Sequence, residues 1–538
     1  MWRKTLVAGV AVVSMALVLS AAPGDFRLAD AAERGDIDTV RSLLATDVDV
    51  NSAHGDGMTA LHWAAYRNDL DMAQLLTEGG ADIQLTTREE ALTPLLIASS
   101  AGNAALVEFL LEAGADASAA NSIGTTALME AAAAGNLDAV QTLLDHGADT
   151  NAKAIRNQTA LMFAASRDRA EVIRLLASRA TDLNSTSAIL PMDLPLFDDD
   201  GNRIPNRTSG GRPKAEIMGG NTALHYAVRE GHVDAVRALV AAGVNINERN
   251  PGDLMTPMVM AIVNGEFDIA NYLLQQGADP NMATIDGLAA LYATIDMRYA
   301  PVAWSPTRQT AAGGIGQQEV SYLEFMEILL ENGAQTNAPL VKALWFRPPH
   351  HNQMWVSASG STPFWRAAQA NDLPAMKLLV AYGADPNVKS TEGNTALAVA
   401  TGIGWLGNFA LNHSDGYMPA IQYLVEELGI EVETRDTKGY TPLMGAAHRG
   451  DNEIVEYLVD HGANLQTRTE LGWAVTDLAN GPYIGSSVRL SHPDTVALLL
   501  ELGAPSVIYL GDEEILGVIK RQIEVTEDGY KEKKTGPQ

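Results

Sequence analysis

The chain has 538 residues, no cysteine, and 66 acidic against 37 basic side chains, a formal charge of −29. A field of that sign repels polyphosphate and anionic lipid, so nucleic acid and membrane surfaces are poor partners for it. Without cysteine there is no disulfide and no thiolate chemistry, and the fold must stand on packing alone.

The first element in chain order is a leader. Met1-Trp2-Arg3-Lys4 is basic, residues 6–19 are apolar, and Ser20, Ala21 and Ala22 are small. That is the pattern of a secretory signal peptide, here residues 1–22, and the apolar run is short for a membrane span. It predicts cleavage near Ala21 or Ala22 and a periplasmic or secreted mature protein without stable membrane insertion.

From about residue 25 one signature recurs with a period of about 33 residues, as in stacked repeat proteins. It reads Thr59-Ala60-Leu61-His62, Thr93-Pro94-Leu95, Thr126-Ala127-Leu128, and so on to Thr441-Pro442-Leu443. The unit from Gly124 to Asn151 predicts its own structure. Thr126 can cap free backbone N–H groups at a helix start, and sister repeats place Pro94, Pro257, Pro363 and Pro442 at the next position, where proline costs nothing. Ala131-Ala132 keep this first helix thin, and Gly135 ends it. A second helix is predicted over residues 137–145, with Val140, Leu143 and Leu144 on one face. Gly147-Ala148-Asp149-Thr150-Asn151 then leads into a polar finger.

These residues resemble the ankyrin-repeat family: the Thr-Pro/Ala-Leu-His-x-Ala-Ala run, the Gly-Ala-Asp-x-Asn turn and the spacing all match over residues 25–505. The resemblance implies an all-α ankyrin-repeat solenoid of about twelve helix-turn-helix repeats with β-hairpin-like fingers. It also implies that His62 and His225 join hydrogen-bond networks between repeats. The first repeat starts at Phe26 as a cap. The fifth departs at Arg179, and the eighth and twelfth carry Ala289 and Ala474 in place of threonine.

Five insertions interrupt the register, near 185–220, 297–318, 338–358, 402–416 and 480–491. The first and third lengthen fingers. The other three lengthen the turn inside repeats eight, ten and twelve, and their alternation predicts projection from one edge. They carry aromatic and polar residues suited to an interface, namely Trp304, Arg308, Trp405, Asn408, Phe409 and His413, and the 338–358 finger adds Trp345, His350, His351 and Trp355. Two readings stay open for them: packing of each loop on its own repeat, or partner binding. Asp198-Asp199-Asp200-Gly201 lacks the closing acid of a calcium loop and reads as a solvated loop. His350-His351 diverge too much to share one metal ion.

No nucleophile elbow, HExxH or phosphate loop occurs. The expectation is a non-enzymatic scaffold, monomeric by itself, with no cofactor and no metal, that binds another exported protein through its concave face and insertion loops. The alternatives are a small-molecule or peptide receptor walled by the insertions of repeats eight to twelve, and a secreted effector binding host proteins. Residues 506–525 read as a C-terminal cap and 526–538 as a disordered tail.

Overall fold

The computed structural model describes residues 25–191, 217–299, 318–342, 357–404, 416–481 and 491–507. Twelve helix pairs stand among them, as the period of the signature predicts. Contacts divide the described residues into two compact units, one running to Ser185 and taking in Arg237–Ala242, the other holding the remainder. The leader 1–22, most of the 506–525 segment and the 526–538 tail lie outside the described residues, as does Asp198-Asp199-Asp200.

The fourth repeat shows why each pair forms. Its helices are Ala127–Ala134 and Leu137–Asp145. The Thr126 hydroxyl accepts the Met129 N–H, satisfying one of the free donors of the first turn. The same bond recurs at Thr59, Thr93, Thr222, Thr256, Thr362, Thr395 and Thr441. Gly135, at φ +83°, ends the first helix in the left-handed conformation that glycine adopts without steric cost. Where threonine is missing the substitution is local: in repeat twelve the Asp477 carboxylate accepts the Ala474 N–H at 2.7 Å, and in repeat eight Ala289 makes no side-chain cap. Arg179, standing in for a terminal glycine, pairs with Asp145 of the preceding repeat at 3.1 Å.

Within each unit, first helices pack against first helices and second against second. The core is the alanine and leucine of the signature: Leu61, Ala64, Leu128, Ala131, Leu143, Leu224 and Ala227 are buried. Each buried leucine contributes about 1.5–3 kcal/mol.

Three polar devices join neighbours. Successive fingers are joined through backbone amides: Arg88 N–H to Asp56 O and Ile155 N–H to Ile123 O in one unit, Val341 N–H to Asp286 O and Thr437 N–H to Glu392 O in the other, all at 2.8 Å. The asparagine of the Gly-Ala-Asp-x-Asn turn bridges onward. Asn337 Oδ1 accepts the Asp385 N–H at 2.8 Å while its Nδ2 donates to Gly383 O at 3.3 Å. Third, the histidine of the signature reaches the next repeat. His62 Nε2 donates to Leu92 O at 2.9 Å and His225 Nε2 to Met255 O at 3.0 Å, and each Nδ1 faces its own capping threonine at 2.8 Å. A carbonyl can only accept, so both rings carry their proton on Nε2. Burial pushes the His62 pKa down and that of His225 to about 4, keeping both neutral.

Other residue types do the same work at that position. Trp365 donates its indole N–H to Asn394 O at 3.1 Å, and the Tyr292 hydroxyl bonds Ser361 Oγ at 2.9 Å.

The described ends of the two finger insertions pair up. In the first, β1 (Ile189–Pro191) and β2 (Ile217–Gly219) form a two-stranded antiparallel ribbon, in keeping with the hairpin-like fingers expected of the repeats. In the second, Leu340 N–H donates to Ser361 O at 2.9 Å and Gly360 N–H to Leu340 O at 2.7 Å.

Candidate interaction surface

All ten residues singled out in the sequence lie outside the described residues: Trp304 and Arg308 in 300–317, Trp345, His350, His351 and Trp355 in 343–356, and Trp405, Asn408, Phe409 and His413 in 405–415. The roots of those insertions are described, and they hold charge in buried positions.

The helix Ala290–Arg298 of repeat eight leads into its insertion and Tyr322–Glu331 leads out. Tyr299 closes the first helix at 4% exposure, and the Tyr322 hydroxyl donates to Asp372 Oδ2 of repeat nine at 3.0 Å. The Arg298 guanidinium lies 5.7 Å from the Tyr299 ring centre and 5.5 Å from that of Tyr322, within cation–π range. Burial, reinforced by the Asp372 charge, pushes the Tyr322 pKa up to about 12 and that of Tyr299 higher, so both stay protonated. One turn earlier, Asp296 Oδ1 meets Arg366 Nε of repeat nine at 3.0 Å, with side chains 11% and 13% exposed. The returning limb is tied to repeat seven, where Asp268 accepts the Glu319 and Val320 amides at 2.9 and 3.0 Å.

Repeat ten repeats the scheme. The Arg449 guanidinium of repeat eleven sits 3.7 Å from the centre of the Tyr417 ring, on the returning limb, and donates to Ala400 O at 3.2 Å on the outgoing side. Its other nitrogen lies 3.5 Å from Asp451, and burial lowers its pKa. The backbones meet so closely here that a Cβ on Gly445 would stand 2.7 Å from the Ile403 nitrogen. In repeat twelve His492 N–H donates to Ala479 O at 2.8 Å, joining the two limbs of the third turn insertion. His448, in the last turn of the helix Pro442–Arg449, is buried, and burial with the charge of His492 pushes its pKa down to about 4. His146 and His461 occupy helix ends, each with Nδ1 on the carbonyl four residues back.

Uninserted repeats nine and eleven therefore supply the anchors, Arg366, Asp372 and Arg449, for insertions in repeats eight and ten. No motif signals this, because the partners are about 50 to 70 positions apart in the sequence.

Repeats one to five differ. Their first helices are Arg27–Arg34, Ala60–Arg67, Pro94–Ala101, Ala127–Ala134 and Ala160–Ala165. The fourth residue after the capping position of the signature reads Asp30, Trp63, Ile97, Glu130 and Phe163 along this series. Phe26, His54, Trp63 and Tyr66 pack edge to face in a chain with ring centres 5.7, 6.2 and 5.8 Å apart. Tyr66 remains 62% exposed, and the finger-tip residues Ile123 and Ile155 are 51% and 72% exposed. Asp30, Glu33 and His54 bring their ligand atoms within 4.8 Å of one another, with His54 Nε2 2.9 Å from Asp30 Oδ1. An open row of aromatic and apolar side chains edged by carboxylates can bury against a partner; it holds no nucleophile–base pair. The sequence reading passed over this row, whose signal was the aromatic pair Trp63 and Tyr66 on one helix.

Models of ankyrin repeats in three copies match residues 28–121, 95–187, 206–284 and 409–507, and a single ankyrin repeat matches 359–391. The mouse B-cell lymphoma 3 protein homolog is 36% identical over 248 residues, which are 43% of this chain and 49% of that protein. Mouse protein phosphatase 1 regulatory subunit 27 is 37% identical over 103 residues, 19% of this chain and 66% of that protein. The chain spans less than two thirds of the length of either relative. The crystal structure of the human ASB11 ankyrin repeat domain aligns at TM-score 0.38 and 23% identity, over 47% of this chain and 98% of that one. With the repeat models matching more than half of its length, the chain belongs to the ankyrin-repeat family.

Proposed function

We propose that this protein is an exported, non-catalytic scaffold that binds another protein through the first-helix face of repeats one to five. Ankyrin repeats are an interaction module, and the observation that carries the assignment to this face is the edge-packed row Phe26–His54–Trp63–Tyr66, ending in an exposed tyrosine. Tyrosine and tryptophan anchor interfaces because they bury large area with few rotors to immobilise. The insertions of repeats eight to twelve are a second contact region in this reading. Export rests on the leader pattern of residues 1–22.

A photo-crosslinking residue at position 66, installed in the native cell, tests the binding claim. The expected result is one partner captured at 66, lost on Trp63→Ala, and absent when the crosslinker replaces Asp138 on an exposed second-helix surface. Equal capture at 66 and 138 would refute it. N-terminal sequencing of the same material tests export independently: a start near residue 22 or 23 supports it, and an intact Met1 in the cytosolic fraction overturns it.

A further inference from the structure

Glu130 is the one acidic side chain set inside the apolar part of the row on repeats one to five. It follows Ile97 and precedes Phe163 at equivalent positions of adjacent first helices. Its side chain is half-buried, and among the described residues no donor hydrogen-bonds it and no ion pair reaches it. The charged groups that face it are Glu90, from the finger of repeat three, and Arg167, at the end of the first helix of repeat five. Burial raises its pKa first, Glu90 raises it further, and Arg167 offsets only part of this. A half-buried carboxylate that no hydrogen bond holds and that Arg167 offsets only in part costs stability, and a cation arriving from elsewhere would relieve that cost.

The surroundings specify that cation. The buried Ile97 and the half-buried Phe163 hold the equivalent positions of the neighbouring first helices, and the fingers of repeats four and five carry the exposed Ile123 and Ile155. A long side chain with an apolar stem and a charged head matches this, its methylenes over the flanking residues and its head on Glu130. Repeat two, with Trp63 and Tyr66, is two layers away. At about 10 Å per packed helix layer the separation is about 20 Å, which an extended segment covers in about six residues.

We infer that the first-helix face of repeats two to five binds an extended segment of a partner protein, with an arginine or lysine on Glu130 and an apolar residue about six positions away against Trp63 and Tyr66. The net charge of −29 favours a basic segment over an acidic one as the occupant. This inference rests on the protein-binding reading above and names the partner's chemistry.

The probe is a fluorescein-labelled serine-rich peptide carrying one leucine and one arginine about six residues apart, made in both orders, with citrulline versions as neutral isosteres. Binding to the full chain is read by fluorescence anisotropy. The expected result is that Glu130→Gln weakens the better arginine peptide about tenfold or more and leaves its citrulline version unchanged, as for the loss of one charge-assisted contact. Trp63→Ala should weaken both peptides, and Asp138→Asn neither. Sensitivity to Trp63→Ala without sensitivity to Glu130→Gln overturns the cation assignment and leaves the face as a protein-binding surface. Insensitivity to both removes the face as well. Equal weakening by Asp138→Asn and Glu130→Gln means diffuse attraction to an acidic chain, which also overturns the inference. Circular dichroism of Glu130→Gln guards against misfolding, and a substitution that removes an unpaired charge is not expected to unfold the repeat.

Discussion

Repeats one to five and repeats eight to eleven place different chemistry on their first helices. In the first region the row Trp63, Ile97, Glu130 and Phe163 is flanked by an exposed Tyr66. In the second, neighbouring first helices carry Asp296, Arg366, Gly445, His448 and Arg449, all buried or nearly so, and tied to the roots of insertions. The repeat scaffold needs only its threonine, alanine, leucine and glycine positions. The remaining face is available for an outside partner or for internal anchoring, and a repeat that neighbours a long turn insertion uses it internally. A buried charge is tolerable there because each has a partner within the protein.

The largest effect that could break this contrast is at Arg366. Arg366→Ala leaves Asp296 buried without its ion pair, and hydrogen exchange at the Ala375 and Phe325 amides should report a local loss of about 3–5 kcal/mol. The double change Asp296→Leu, Arg366→Met should recover most of it. A loss under about 1 kcal/mol would make the pair an ordinary surface bridge and erase the difference between the regions.

Acid should separate the regions next. The folded-state pKa of His448 is depressed to about 4 from 6.5. The neutral form is favoured in the native state, so its contribution is intact above pH 6.5 and is lost as pH falls towards 4, by about 3 kcal/mol. Exchange at Ala446-bonded amides of Gly450 and Asp451 should accelerate over that window, and His448→Gln should flatten the profile. An unchanged profile would count against a buried neutral imidazole.

Tyr322→Phe removes one donor from the buried Asp372, whose other oxygen accepts the Ala375 N–H. The expected cost is about 1–3 kcal/mol, concentrated where the insertion of repeat eight returns to its second helix. In the open region Tyr66→Ser should change stability by no more than about 0.5 kcal/mol in a urea melt, while abolishing partner capture at that face. The smallest effect has the opposite pH sign to His448. Because the folded-state pKa of Glu130 is raised, its charge opposes folding at neutral pH and the penalty fades as the group protonates on acidification. Glu130→Gln should therefore raise stability slightly at pH 7 and leave it unchanged well below the ordinary value of 4.5. Destabilisation at pH 7 would mean that Glu130 has a partner inside the protein.

Much of the scaffold was legible from single residues. Thr126, Gly135 and the stretch 137–145 act through bonds no more than five positions away, and the helix Leu137–Asp145 lies where its apolar spacing puts it. His62 and His225 were legible for the same reason of register, since their acceptors recur one repeat on. The register of the hairpin β1–β2 was not, because Ile189 and Gly219 pair across 25 residues outside the described set. Nor was the burial of His448, which depends on His492 and on helices that come together only in the stack.

The sequence by itself determined the repeat, its capping and its count, because each is set by short-range hydrogen bonding and by a periodic apolar face that any stack must bury. Only the tertiary structure decided which first-helix positions are open and which are spent on anchoring. That choice depends on whether a polar group finds its partner 50 or 70 residues away, as the Tyr322 hydroxyl finds Asp372 and Arg366 finds Asp296, or, like Glu130, is only partly offset by Arg167.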